Sequence, residues 1–267
     1  MTDEQIRANV YVATPSYGSV VATDYVIGLL DLHESAAHHG FGLQVHFNSF
    51  DSLVTRARNT MVAEFLADSR FTHLMWIDGD IGFKGADVVR LLKADRPVVA
   101  GVYPLKSDGW PRAGLSEPLA AGTTKADFQA RFATYPAVAR SGNLEPDADG
   151  FLDVLYAPTG FMLIRREVFR ALIERFPELH CRTRMQGHDD ESVAASLHYS
   201  FFDTMIDPQT RVYLSEDYAF CRLIERIGIT PAVDTRSNFS HQGVAVFHGD
   251  LARSLNLQRS ASGGKMR

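Results

Sequence analysis

Two aspartates one residue apart close an apolar run in Trp76-Ile77-Asp78-Gly79-Asp80. Ionised carboxylates this close repel each other, and a divalent cation offsets the repulsion. Hard oxygen donors suit Mg²⁺ or Mn²⁺, and such an ion can in turn grip a diphosphate. The same residues also suit a plain polar turn, with Gly79 giving the backbone its freedom. Ser215-Glu216-Asp217 stands directly before an amphipathic stretch. It reads as a helix start, with Ser215 as N-cap and two acids favoured by the dipole. The other reading, which the segment by itself favours less, is a carboxylate base at the mouth of a site. In Ser240-His241-Gln242-Gly243, His241 offers an imidazole nitrogen, and imidazole beside carboxylate leans toward Mn²⁺. Arg56-Ala57-Arg58-Asn59 opens a helical stretch, where arginine opposes the dipole. These bases can reach a phosphate or a nucleobase, or one of them can face solvent. His188-Asp189-Asp190-Glu191 reads as a solvated loop. His38-His39 ends a helix, where a positive side chain suits the dipole.

The elements that must carry these residues alternate. Short apolar runs at 10–13, 43–47, 72–77 and 97–102 predict strands, and amphipathic stretches at 23–37, 53–67 and 85–93 predict helices. Gly40 ends the first helix. This βαβαβαβ order predicts an α/β fold, a mostly parallel central sheet with helices on both faces. Ligands of such sheets bind outside the carboxyl ends of the strands. Three loops fall there, at 14–18, 48–51 and 78–80. Residues 103–150 carry five prolines and several glycines and predict an irregular insert, with a helix near 125–132. Strands are expected at 151–156 and 160–165, joined by Ala157-Pro158-Thr159. A helix follows at 166–176, another at 215–227 closed by Gly228, and a last strand at 230–234. The polar, glycine-rich tail at 259–267 is expected to be disordered.

Composition narrows the class. The 267 residues are 45% hydrophobic and 22% charged, which fits a folded domain rather than a disordered or fibrous chain. No apolar run approaches the ~20 residues of a membrane span, and the first residues carry no signal-like core. The net charge of −5 lacks the basic excess of a phosphate-gripping nucleic-acid binder. Two cysteines without a CxxC, Cys181 and Cys221, predict free thiols and a cytoplasmic protein. There is no GxGxxG, P-loop or GxSxG.

Taken in order, these motifs resemble those of the GT-A glycosyltransferases related to family 2, nucleotide-sugar-dependent enzymes of bacteria and phages. Thr14-Pro15-Ser16-Tyr17 resembles the first-strand loop that contacts the nucleotide. Arg58-Asn59 resembles the R-N pair of the second helix, and Asp78-Gly79-Asp80 the DxD metal motif. Tyr103-Pro104-Leu105-Lys106 resembles a Y-P-x-K segment, and Pro158-Thr159-Gly160-Phe161 the turn beside the acceptor. Ser215-Glu216-Asp217 resembles the xED motif, and His241 the C-terminal metal histidine.

The resemblance implies one GT-A domain over 1–258, with the nucleotide sugar on about 9–106 and the acceptor on about 151–250. It implies that Asp80 and His241 coordinate Mn²⁺ or Mg²⁺, with Asp78 near the metal and the ribose. Asp217, or Glu216 in its stead, would be the base for an inverting transfer. Thr14, Pro15 and Tyr17 would contact the nucleotide, and Arg58 and Lys106 the diphosphate or the base. UDP is the expected nucleotide. The acceptor is left open among a glycan, a lipid-linked sugar, a protein and a modified DNA base, the last disfavoured by the acidic balance. Two other functions stay open. A nucleotidyltransferase making nucleotide sugars would carry a glycine-rich basic loop, where this chain has Thr14-Pro15-Ser16-Tyr17-Gly18. A non-catalytic binding module would not need the acids and histidine intact.

Overall fold

The computed structural model describes residues 5–107, 110–111, 113–140, 145–182 and 193–244. The tail at 259–267 and the His188–Glu191 cluster lie outside the described residues. The first half runs β1 (Asn9–Ser16), α1 (Thr23–His39), β2 (Gly42–Ser49), α2 (Val54–Ala67), β3 (His73–Ile77), β4 (Ile81–Gly82), α3 (Gly85–Lys93) and β5 (Val98–Gly101). The insert supplies α4 (Lys125–Phe132) and β6 (Val138–Ala139). Then come β7 (Phe151–Tyr156), β8 (Phe161–Arg165), α5 (Arg166–Arg175), α6 (Val193–Ser196), β9 (Met205–Ile206), β10 (Tyr213–Leu214), α7 (Glu216–Glu225), β11 (Ala232–Asp234) and β12 (Ser240–His241).

Eight strands form the central sheet, in the order β2-β1-β3-β8-β5-β11-β7-β6. The pairings β1/β2, β1/β3 and β5/β11 are parallel, and β8 and β7 run against their neighbours. The sheet is therefore mostly parallel in direction, as the alternation predicts. Side chains alternate between its two faces. Tyr11, Ala13, Leu74, Trp76, Met162 and Ile164 pack with α2, α5 and α7. Val10, Val12, Met75, Ile77, Phe161 and Leu163 pack with α1 and α3. Burial on both faces explains why β3 and β8 read as continuous apolar runs.

Two local expectations change. Residues 14–16 belong to β1, not to a loop, because β2 pairs with them as far as Ser16↔Ser49. Pro15 is tolerated because β3 stops pairing at Ala13, which leaves that side of β1 without a ladder to feed. The two strands joined by Ala157-Pro158-Thr159 form as expected, with β5 and β11 lying between β8 and β7 in the sheet. Gly79 is absent from the positive-φ glycines, so no left-handed turn requires it. It is small because a Cβ there would lie 2.9 Å from Val21 Cγ1.

The helices that carry the motifs are held firmly. Gly40 closes α1 at φ 74°, its N–H donating to Ala36 O at 2.8 Å. Arg166, buried at the start of α5, donates to the carbonyls of Phe65, Leu66, Asp68 and Phe71. One guanidinium thus satisfies two of the orphan acceptors in the last turn of α2 and the carbonyl of its cap residue, and fixes the helix on which Arg58 rides.

Candidate active site

A cleft of about 590 Å³ opens where β1 and β3 end, lined among others by Pro15, Tyr17, Asp51, Arg58, Asp78 and Asp80. This is the crevice in which α/β sheets hold ligands. Asp78 and Asp80 both face it but serve different partners. The backbone N–H of Asp78 donates to Gly160 O at 2.9 Å. Its carboxylate accepts from Arg58 Nη2 at 3.0 and 3.3 Å. Asp80 turns the other way, toward Lys106 and His241.

Arg58 is the buried hub. Its side chain is 4% exposed, lies over the Trp76 ring at 5.0 Å, and sets Nε 3.5 Å from Glu216 Oε1. Burial works against its charge, yet Asp78 and Glu216 raise its pKa overall. Its role is wider than the sequence suggested, because one cation joins α2, the end of β3 and the start of α7. Arg56, by contrast, is spent on Asp51, donating from Nε at 2.9 Å and Nη2 at 2.7 Å. That hydrogen bonding, with the Leu53 N–H, holds Asp51 below the usual carboxylate range. Asn59 uses its Oδ1 to accept the Phe202 N–H at 2.8 Å, a structural task.

The register of a two-residue ladder brings His241 to Asp80. His241 pairs with Ile81 in the β4/β12 ribbon, and Gln242 N donates to Asp80 O at 2.8 Å. His241 Nε2 then stands 3.6 Å from Asp80 Oδ1. Its Nδ1 lies 2.8 Å from Pro104 O. A carbonyl only accepts, so Nδ1 is the donor to Pro104, and Nε2 is the ring nitrogen left facing Asp80. This is the way a protein orients an imidazole that ligates a metal. Lys106 Nζ rests on the other oxygen, Oδ2, at 2.5 Å.

Among the described residues no group of three or more His, Cys, Asp or Glu side chains is placed to hold a metal. Asp80 Oδ1 and His241 Nε2 are two converging donors. Two protein donors suit an ion that completes its shell with substrate phosphates and water.

Asp217, next to Glu216, is not among the residues that line the cleft. Burial raises its pKa, and the Glu216 charge adds to the rise, against the lowering hydrogen bond from Ser215. Ser215 occupies the N-cap position but makes no side-chain cap. Its hydroxyl donates to Asp217 Oδ1 instead, beside the Tyr218 N–H at 2.8 Å.

One expectation about the site needs revision. Thr14 is fully buried, its hydroxyl 2.6 Å from the Tyr25 hydroxyl, and does not line the cleft. Its motif faces inward because β1 continues through it, and only Pro15, Ser16 and Tyr17 reach the cleft. Tyr103 takes a part that its motif does not specify. It packs edge-on to His241 at 5.0 Å, and a Cβ at Gly160 would collide with its hydroxyl. Burial raises its pKa, and the charges of Asp78 and Asp217 push the same way. A tyrosine directly before proline at the end of a buried strand run was the available signal.

No protein-family model matches the chain, and no curated protein matches it. Solved structures do. The protein A197 from STIV is 14% identical over 91% of this chain and 98% of its own, with a TM-score of 0.46. GalNAc-T7, solved with UDP, GalNAc and Mn²⁺, is 12% identical over 88% of this chain and 44% of its own, with a TM-score of 0.41. A Bacillus anthracis protein designated a glucose-1-phosphate thymidylyltransferase, solved with sucrose, is 11% identical over 96% and 98%, with a TM-score of 0.40. At such identities and scores these likenesses describe the path of the chain alone.

Proposed function

We propose that this protein is a metal-dependent glycosyltransferase of the GT-A kind, moving a sugar from a nucleoside-diphosphate sugar, UDP-linked by preference, to a hydroxyl acceptor. One observation carries the reading: His241 Nε2, its tautomer set by Pro104 O, converges on Asp80 beside the cleft. Asp80 and His241 would hold Mn²⁺ or Mg²⁺. Bound there, the ion supplies Lewis-acid stabilisation of charge on a departing diphosphate.

The chain's own residues do the rest. Pro15 and Tyr17 wall the nucleotide end of the cleft, and Asp78 meets the ribose. Lys106 is a cation for the diphosphate. Asp217 takes the acceptor's proton as the acceptor oxygen bonds to the anomeric carbon and the bond to the diphosphate breaks. Glu216 is held by Arg58, so Asp217 is the acid left to act as base. The donor belongs to the part at about 9–106, and the acceptor, whether glycan, lipid-linked sugar, protein or modified DNA base, to that at about 151–250. The two free thiols support a cytoplasmic setting.

The test is a panel of nucleotide sugars with and without Mn²⁺, read as nucleoside diphosphate released. Asp80→Ala should abolish Mn²⁺-dependent turnover. Hydrolysis by Asp80→Ala at the wild-type rate would remove the metal assignment. Pyrophosphate released from a nucleoside triphosphate and a sugar phosphate would establish the nucleotidyltransferase instead.

A further inference from the structure

The two aspartates of the cleft carry counter-cations of opposite character. Asp78 is neutralised by Arg58, whose side chain is 4% exposed and wedged against Trp76 and Glu216. That cation cannot leave without stranding two carboxylates. Asp80 is neutralised by Lys106, which is 44% exposed and sits on a flexible stem. That cation can leave. The same short segment also fixes the imidazole, through Pro104 O on His241 Nδ1. It is anchored by the Tyr103 ring against Gly160 and by the Leu105 N–H on Thr134 O at 2.8 Å. The Lys106 stem crosses Gly243 so closely that a Cβ there would lie 2.8 Å from Lys106 Cδ. Residues 103–106 thus hold both metal donors in place while setting an ammonium on one of them.

We propose that Lys106 is an exchangeable counter-ion of the metal site. It occupies Asp80 until a divalent cation arrives, and the cation binds by displacing it. The freed ammonium then serves the diphosphate that arrives with the ion. Lys106 therefore opposes binding of the metal alone and favours binding of metal and nucleotide together. This couples donor and metal and keeps the site from filling with the ion when no donor is present. The inference rests on the reading of Asp80 and His241 as metal donors.

The experiment measures free Mn²⁺ by electron paramagnetic resonance during titration of the wild type and of Lys106→Met. A second titration follows UDP at saturating Mn²⁺. Lys106→Met should bind Mn²⁺ alone about fivefold more tightly, the order set by loss of a partly exposed ion pair. With Mn²⁺ present it should bind UDP roughly tenfold more weakly, the order of one charge-assisted hydrogen bond. Opposite signs on the two ligands are not produced by a residue that merely supports the fold. Lys106→Arg keeps the charge and should bind Mn²⁺ alone as weakly as the wild type. Gly243→Ala, which pushes on the lysine stem without touching Asp80, should tighten Mn²⁺ binding in the direction of Lys106→Met. Equal Mn²⁺ affinity in wild type and Lys106→Met would overturn the exchange and leave the metal site standing. Tightening that persists with Asp80→Asn added would overturn it too. Failure of both proteins to bind Mn²⁺, with or without UDP, would overturn the metal reading and this inference together.

Discussion

Glu216 and Asp217 are adjacent acids with different electrostatic fates. Glu216 faces the Arg58 guanidinium. Asp217 is half-buried, and desolvation, with the Glu216 charge beside it, raises its pKa. A base must be ionised to accept a proton, so the acidic limb of transfer should lie above the ordinary carboxylate range, near 3.8. Asp217→Asn keeps the shape and should lower transfer by ~10²–10⁴-fold while UDP binding stays within about twofold. Steady-state transfer and nucleotide titration measure the two. Loss of both together would make Asp217 structural. A stability effect accompanies it. A raised folded-state pKa stabilises the fold below the unfolded value and withdraws that stability as pH rises through the folded value. The ionised Asp217 is thus a burden at neutral pH, and Asp217→Asn should melt no lower than wild type at pH 7, with calorimetry as the check.

Between elements, the site is a set of joints. Arg58 ties α2 to the end of β3 and to α7 through Asp78 and Glu216. Removing one partner of a buried charge cluster strands the others, at about 3–5 kcal/mol. Asp78 is 30% and Glu216 18% exposed, so water relieves part of that cost. Arg58→Met should destabilise by about 3 kcal/mol in urea unfolding. A loss under 1 kcal/mol would mean that α2 and α7 are held by their apolar faces alone. The Tyr103–Gly160 contact joins the insert to β8. In Gly160→Ala the phenol must move, which overpacking puts at about 1–3 kcal/mol. The displaced ring lies against His241, so Mn²⁺ affinity should fall as well. A loss of stability with unchanged metal affinity would show that Tyr103 does not orient the imidazole.

For the whole molecule, ligands that bind only the folded state stabilise it by mass action, about 2.7 kcal/mol at a hundredfold excess over Kd. For a chain of this size that is on the order of 6 °C in melting temperature. UDP and Mn²⁺ together should produce such a shift, and each alone much less; equal shifts with EDTA present would separate nucleotide binding from metal. Among the described residues no helix is long and apolar enough to cross a membrane. Much of this architecture was legible in the chain. The pattern of apolar residues marked α1, α2, α3, α5 and α7 and the buried strands, because a helix or strand buries a face its own spacing defines. Residue types marked Asp78, Asp80, Asp217 and His241, because few side chains hold metals or move protons. What those residues do depends on neighbours brought together by the sheet. That Asp78 answers to Arg58 and Asp80 to Lys106, that Thr14 is sealed under the cleft, and that Tyr103 touches His241 follow from strand order and the β4/β12 register. Those contacts join residues far apart along the chain, and local spacing carries no information about which distant segment a folded sheet sets beside it.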